Sequence, residues 1–173
     1  MHVRVVSVLV VGLLSALSSP VTLADEKPSS EVAFERLKSL AGTWEYAEKG
    51  KTTKRVATYV VTGGGNVVLE LMGGMSTAYH LDHGTLMLTH YCGAGNQPRM
   101  RVNSIENGGR HIRFDFYDIT NLANQESYRS TSLDVVFHED GHVDLAYGGM
   151  TAGRASTQTF QLLRRTSTTT TLQ

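Results

Sequence analysis

The sequence predicts an all-β fold, an antiparallel up-and-down β-barrel of about nine or ten strands preceded by one short N-terminal helix. Apolar and polar residues alternate with period two over most of the chain, glycine-rich turns separate the alternating stretches, and no helical stretch lies between them. Parallel strands need long crossover connections, so we expect antiparallel pairing of sequence neighbours. A sheet of so many consecutive strands hides its edges best by closing on itself, and a β-sandwich is the alternative.

Length and charge indicate one globular domain. The chain has 173 residues, with 16 basic and 16 acidic side chains and 17 glycines. That length is sufficient to bury a core without disulfides or a structural metal. Because no basic run is present, the sequence lacks the electrostatic signature of a nucleic-acid-binding protein or of one attracted to an acidic membrane surface.

The first residues have the three parts of a secretory signal peptide, which we assign to residues 1–24. Arg4 supplies a positive start, Val5–Leu17 is almost entirely apolar, and Ala24 is a small residue at the cleavage site. A membrane anchor is the alternative, although the apolar run is short for a bilayer and no later segment is apolar enough to span one. We therefore expect an exported protein, periplasmic or secreted. The remaining boundaries are a linker over 25–30, the barrel domain over 31–165 and an unordered Ser/Thr-rich tail over 166–173.

One amphipathic helix is predicted before the strands. Phe34, Leu37 and Leu40 recur at helical spacing, and Ser29 or Ser30 can serve as the N-cap. The helix is therefore predicted over 31–40, and it ends at Ala41-Gly42.

The strands follow from the alternation, beginning at Gly42. They are predicted at 56–61, 67–71, 76–82, 85–92, 112–117, 133–137, 143–147 and 160–164, with turns at 62–66, 73–74 and 139–141. His83-Gly84 is predicted to close a hairpin. A two-residue turn there pairs Tyr79 with Leu88, whereas a three-residue turn would bring His80 inside. The face that carries Tyr79 is the more apolar, which favours the two-residue turn.

His90 and Cys92 are the strongest candidates for chemistry inside the barrel, because they share a strand face with Leu86 and Leu88. Cys92 is the only cysteine, so it has no partner for an internal disulfide. The pair, alone or with His80, could bind zinc or copper, or His90 could act as the base for a reactive Cys92 thiol. The alternative is an interior histidine beside an inert buried cysteine. Their spacing matches no established metal motif. No metal ligand or catalytic residue is therefore predicted, and the sequence does not identify a cofactor.

A polar loop over 93–99 follows that strand. Asn96, Gln97 and Arg99 could recognise a polar group at the barrel mouth, or the two amides could simply hold their own turn. The predicted ligand-binding set is Tyr79, Leu86, Leu88, His90, Cys92, Asn96, Gln97, Arg99 and Met100.

Gly42-x-Trp44 at the junction between the helix and a meander of strands resembles the calycin group, which includes lipocalins, fatty-acid-binding proteins and nitrobindin-like barrels. The resemblance implies that Gly42 allows a tight turn, that Trp44 plugs the closed end, and that Arg164 or Arg165 from the last strand stacks on the indole. A second stretch, which includes His90-Tyr91-Cys92 and Asn96–Met100, resembles a segment of exported bacterial barrels that have no established activity.

Haem is the known ligand of the nitrobindin-like branch, but this sequence departs from that pattern. Trp44 is followed by Glu45-Tyr46-Ala47-Glu48 rather than a glycine-rich run, and the last histidine, His142, lies in a predicted turn. The expected function is therefore non-enzymatic binding of a small apolar or amphipathic molecule. The alternatives are a metal- or thiol-dependent enzyme centred on His90 and Cys92, and a barrel filled by its own side chains that serves as an interaction module of the cell envelope.

Overall fold

The computed structural model describes residues 29–48 and 51–165, which form one helix and ten strands. The helix is α1 (Ser30–Lys38). The strands are β1 (Gly42–Glu48), β2 (Lys51–Thr62), β3 (Val67–Met72), β4 (Met75–Asp82), β5 (Thr85–Tyr91), β6 (Gln97–Glu106), β7 (His111–Thr120), β8 (Arg129–Phe137), β9 (Val143–Thr151) and β10 (Arg154–Arg164).

The ten strands form a closed antiparallel barrel. Each strand pairs with its neighbours in sequence, and β1 pairs with β10 to complete the closure, with Trp44 opposite Arg164 and Tyr46 opposite Leu162. The predicted up-and-down barrel is therefore confirmed and the sandwich is excluded. A closed ten-stranded barrel with one short helix also fits a calycin-like fold.

The helix closes one end of the barrel. Ser29 caps α1 by accepting a hydrogen bond from the Val32 backbone N–H, as its residue type predicts. Phe34 and Leu37 are buried against the strands, and the Ser30 hydroxyl accepts a hydrogen bond of 3.2 Å from the Leu86 backbone N–H. Because α1 contacts β4, β5 and β6, the ends of these strands lie beneath it.

The hairpin between β4 and β5 has the predicted register. Tyr79 lies opposite Leu88, and the turn consists of His83 and Gly84. Both turn residues have positive φ, 46° and 78°, as a tight turn matched to the strand twist requires. Tyr79 and Leu88 therefore face the core, and His80 lies on the other side of the strand.

One strand, β6, was not expected, since residues 97–99 had been predicted to lie in a loop. The strand is bulged twice against β7, between Arg99 and Met100 and between Val102 and Ser104. The first bulge places its extra residue, Tyr117, on β7. The second places Asn103 on β6, where it shifts the alternation of inward and outward side chains. The period-two pattern that predicts a strand is therefore broken along β6.

In two of the strands that are longer than predicted, β2 and β10, the added residues have no buried face. Residues 51–55 of β2 and 154–159 of β10 are largely exposed. Neither segment buries alternate side chains, so neither shows the apolar alternation that marks a half-buried strand.

The predicted signal peptide over 1–24 and the tail over 166–173 lie outside the described residues, as does the linker before Ser29. Within the described part of the chain, no helix is long and apolar enough to cross a bilayer.

Candidate functional site

The centre of the barrel contains a buried carboxylate. Glu70 lies on β3 between Val68 and Met72 on the inward face of that strand, and only 2% of its surface is exposed. Its neighbours across the sheet are Tyr59 of β2 and Thr77 of β4, which are also buried. A carboxylate in such a place needs hydrogen-bond partners, because burial removes its water.

Tyrosine hydroxyls from three other strands supply those partners. Tyr46 of β1 donates to Glu70 Oε1 at 2.9 Å, Tyr79 of β4 donates to Oε2 at 3.1 Å, and Tyr147 of β9 lies 3.5 Å from Oε1. The four side chains, here called the Glu70 cluster, come from four different strands. Closure of the barrel brings them together across the interior.

Burial sets the protonation of the Glu70 cluster. It raises the pKa of Glu70, and hydrogen bonds from Tyr46 and Tyr79 oppose that increase by stabilising the ionised form. Burial, together with the nearby Glu70, also raises the pKa of Tyr79 and Tyr147 well above the ordinary phenol value. The phenols consequently stay protonated and act as donors. The groups that hydrogen bond to Glu70 are all neutral hydroxyls, so no positive charge is paired with it in the described part of the barrel.

A polar row connects this cluster with His90. Thr77 lies opposite Glu70 on one side and opposite His90 on the other, so the three residues form a line across β3, β4 and β5. The Thr77 hydroxyl is 2.9 Å from His90 Nδ1. Burial lowers the pKa of His90, which favours the neutral imidazole, and His90 remains half-buried where Thr77 is fully buried.

Four residues of the predicted ligand-binding set lie in the packed interior. Tyr79, Leu86, Leu88 and Met100 are each at most 2% exposed. Tyr79 belongs to the Glu70 cluster, and Leu86 packs at the end covered by α1, where its backbone bonds to Ser30. These side chains are packed among their neighbours and have almost no free surface of their own.

Cys92 follows the end of β5 and is half-buried. Its Sγ accepts a weak hydrogen bond from the Ala94 N–H at 3.5 Å, and its backbone N–H donates to the Asn96 carbonyl at 3.1 Å. Cys92 thus closes the short loop between β5 and β6. His90 bonds to Thr77 instead of to this thiol.

The polar residues after Cys92 are held by local contacts. Asn96 is 1% exposed, its Nδ2 donates to the Tyr128 carbonyl at 2.7 Å, and its Oδ1 has no partner among the described residues. Gln97 bonds to the Gly95 carbonyl and the Thr120 hydroxyl. Arg99 lies on the outer face of β6, where its guanidinium pairs with Asp118. The structure therefore places Arg99 outside the barrel mouth.

The closed end contains the three predicted structural residues. The Arg164 guanidinium lies 4.4 Å above the Trp44 ring and donates to the carbonyl oxygens of Ser39 and Ala41, while the indole N–H donates to the Leu40 carbonyl at 2.6 Å. Gly42 has φ of 124°, and a Cβ there would lie 3.2 Å from Arg164 Nη1. Both the backbone angle and the close guanidinium favour glycine at this position.

Four residues of this polar system were not predicted from the sequence: Glu70, Tyr46, Tyr147 and Thr77. A signal for Glu70 was present, since it interrupts the apolar run Val67–Met72. Val67, Leu69 and Leu71 share a strand face, but Leu71 is 45% exposed and Val68 is fully buried, so the opposite face points inward. A charged residue on that inward face was the available indication of a site.

Comparison with known proteins does not assign the chain to a family: no family model matches it, and no curated protein matches it significantly.

Proposed function

We propose that this protein is an exported, non-enzymatic barrel that binds a small amphipathic molecule through the end opposite α1. The observation that supports this function is the Glu70 cluster, an interior carboxylate with no paired cation, joined through Thr77 to the half-buried His90. The N-terminal segment 1–24, with its three signal-peptide features, supports export.

The energetics of the Glu70 cluster favour a functional origin. An interior carboxylate loses hydration, and replacing buried ionic groups by apolar ones of similar volume is often neutral or stabilising by about 1–4 kcal/mol. A barrel selected for stability alone would therefore have an apolar side chain at position 70. Titratable groups with strongly shifted pKa values inside an enclosed fold are typical of binding and active sites.

His90 and Tyr147 are the members of this polar system that retain exposed surface. The Thr77 hydroxyl is hydrogen bonded to His90 Nδ1. Within residues 29–48 and 51–165, the other ring nitrogen, Nε2, forms no hydrogen bond. Phe116 shares the inward face of β7 with the buried Phe114 but is 40% exposed, which gives the upper barrel an apolar wall. A ligand would therefore place its polar head near His90 and its apolar part beside Phe116.

The charge of the cluster indicates which head group fits. Glu70 accepts hydrogen bonds, and no described basic side chain neutralises it. An amine or another hydrogen-bond donor would be attracted by Glu70 in its ionised form, whereas a carboxylate head would be repelled by it. The proposed ligand class is thus an amphipathic molecule with a hydrogen-bond-donating head. Arg99 is not part of the proposed site because Asp118 already engages it.

The proposal is tested by native mass spectrometry of the exported chain titrated with dodecylamine and, separately, with dodecanoate. We expect one dodecylamine to bind per chain, more tightly than dodecanoate, and His90→Ala to weaken it. His80→Ala is the matched control, because His80 lies on the outward face of the neighbouring strand. Equal affinity for dodecylamine and dodecanoate, or an equal loss of dodecylamine affinity in His90→Ala and His80→Ala, would contradict the proposal.

The interaction module is the second candidate, because the middle of the barrel is filled. Tyr46, Glu70 and Tyr79 are each at most 2% exposed. If neither probe binds and His90→Ala alters only stability, the ligand hypothesis is wrong and the filled barrel becomes the better interpretation.

We also propose that the chain is related to the lipocalins and nitrobindin-like barrels. Support comes from Gly42 and Trp44 after the helix and from Arg164 stacked on the indole. The residues that support this relationship lie at the closed end of the barrel, whereas those that support ligand binding lie in its interior.

A further inference from the structure

The turn between β8 and β9 brings two histidines and an aspartate together on the outside of the barrel. His138 directly follows β8, His142 directly precedes β9, and Asp144 is the second residue of β9. One nitrogen of each imidazole and one oxygen of Asp144 all lie within 4.8 Å of one another. This group, here called the His138 triad, is separate from the interior site described above.

The backbone of the turn holds the two imidazoles side by side. The His138 N–H donates to the His142 carbonyl at 3.0 Å, and the Gly141 N–H donates to the His138 carbonyl at 3.2 Å, with Gly141 at φ of 88°. The two rings are stacked, with centroids 4.0 Å apart and planes 9° apart. Their positions are therefore determined by the hairpin.

Both rings turn the same nitrogen toward Asp144. His138 Nε2 is 2.8 Å from Asp144 Oδ2, and His142 Nε2 is 3.8 Å from Asp144 Oδ1. Gln161 of β10 donates to Asp144 Oδ1 at 3.0 Å and so orients the carboxylate. Two imidazole nitrogens and a carboxylate oxygen thus converge on one region of space.

A second carboxylate sets the tautomer of His142. Asp140 Oδ1 hydrogen bonds to His142 Nδ1 and also accepts a hydrogen bond from the His142 backbone N–H. Because Asp140 engages Nδ1, Nε2 is the nitrogen that His142 directs toward Asp144. Carboxylate–histidine pairs of this kind commonly support metal-ligating histidines.

We propose that the His138 triad is a binding site for a divalent transition-metal ion, with Zn²⁺ as the best-fitting class. His138 Nε2, His142 Nε2 and the Asp144 carboxylate would be its three protein ligands, and Asp140 would orient His142. Two imidazoles and one carboxylate suit zinc and its neighbours, whereas Ca²⁺ and Mg²⁺ prefer all-oxygen sites. Metal binding requires His138 to carry its proton on Nδ1, so that proton moves from Nε2 without changing the charge of the ring.

The surroundings allow an ion to enter. The side chains of the triad are 22–42% exposed, and the two histidines border a surface cleft of about 340 Å³ next to α1. Three arginines, Arg36, Arg110 and Arg164, also line this cleft. Arg110 is paired with Glu139 at 2.9 Å, and Arg164 lies over the Trp44 ring. With three protein ligands, a tetrahedral ion would keep one position for water or another small ligand.

The test is isothermal titration calorimetry of the exported chain with ZnCl₂, in wild type and in single variants. We expect one Zn²⁺ per chain, and at least about a tenfold loss of affinity in His138→Ala, His142→Ala and the orienting variant Asp140→Asn. Circular dichroism of each variant checks that the barrel is folded. Because the triad lies on an exposed turn, folding is expected to survive these changes.

Two other histidines provide matched controls. His83 pairs with Asp82 in the β4–β5 turn, and His111 lies near Glu106 and Asp134, so each is a single histidine beside carboxylate side chains. His83→Ala and His111→Ala are expected to bind Zn²⁺ as wild type does. No binding, binding unchanged in His142→Ala, or binding lost instead in His111→Ala would overturn the proposal.

Discussion

The closed end and the centre of this barrel bury polar atoms in two different ways. At the closed end, the Trp44 N–H and the Arg164 guanidinium donate to backbone carbonyl oxygens of the segment that follows α1. At the centre, Glu70 accepts hydrogen bonds from the side chains of Tyr46 and Tyr79. Backbone carbonyls do not titrate, whereas a carboxylate ringed by phenols does.

The contacts at the closed end are structural, whereas the centre of the barrel contains groups that can titrate. The contacts of Trp44 fix where the chain enters the barrel, and none of its partners changes charge with pH. The Glu70 cluster contains groups whose pKa values are raised by burial, namely Glu70 and its tyrosines. The two regions should therefore respond differently to mutation and to pH, and the following predictions test that contrast.

Trp44→Ala should have the largest effect. Trp44 is 2% exposed, and removing a buried aromatic side chain of this size costs about 3–5 kcal/mol of unfolding free energy. The cost should be the same at pH 5 and pH 8, as measured by urea unfolding. Tyr91→Ala is the control, because Tyr91 is 50% exposed and should lose about 1 kcal/mol or less. If the loss of unfolding free energy in Trp44→Ala depended strongly on pH, the two regions would not differ in their response to pH.

Tyr79→Phe should destabilise the barrel by about 1–3 kcal/mol, because it leaves a buried oxygen of Glu70 without its donor. Tyr147→Phe should have a smaller effect, since the Tyr147 hydroxyl is 3.5 Å from Glu70 and the side chain retains exposed surface. Both values come from urea unfolding at pH 7. Equal losses in the two variants would indicate that the hydrogen bonds do not determine the stability of the cluster.

Glu70→Gln should change how stability depends on pH. Burial raises the pKa of Glu70 in the folded state, so the folded protein holds this proton to a higher pH than the unfolded chain does. The contribution of Glu70 to stability is therefore greatest at acidic pH. It falls as pH rises above the ordinary glutamate pKa of 4.5, by at most about 1.4 kcal/mol for each pH unit, until the folded-state pKa is passed.

Urea unfolding of wild type and Glu70→Gln between pH 4.5 and 8 measures this effect. The variant is expected to gain stability relative to wild type as the pH rises. The matched control is Glu45→Gln, a half-buried carboxylate on β1 that faces outward beside Arg165. Parallel curves for Glu70→Gln and wild type would show that Glu70 does not titrate differently on folding.

The fold was predictable where alternation and turn chemistry are local. His83-Gly84 determines the register of Tyr79 with Leu88, and the β4–β5 hairpin follows from those few residues. The strand β6 was not predicted because the extra residue Asn103, in a bulge against β7, breaks its alternation. The exposed half of β10 was not predicted either. None of its side chains is buried, so its sequence shows no alternation of apolar and polar residues.

The site was predictable only in part, because some of its contacts join residues that are far apart in the sequence. His90 could be placed inside from its own strand, because it alternates with Leu86 and Leu88. The Glu70 cluster depends on closure instead, since Tyr147 is 77 residues from Glu70 in sequence and meets it across the barrel. Local alternation does not reveal which side chains meet across a closed sheet. Recognising Glu70 as inward-facing is the step that the sequence would have allowed.

Arg99→Met should have the smallest effect of all. Arg99 resembles Arg164 in carrying a guanidinium near an aromatic ring, with Tyr117 5.9 Å away. Its partner, however, is the exposed carboxylate of Asp118, and exposed ion pairs are screened by water and salt. Arg164 instead holds two backbone carbonyls at the closed end. We expect the urea midpoint of Arg99→Met to match that of wild type, and the midpoint of Arg164→Met to fall. If Arg99→Met lowers the midpoint as much as Arg164→Met does, the outer face stabilises the barrel as strongly as its closed end.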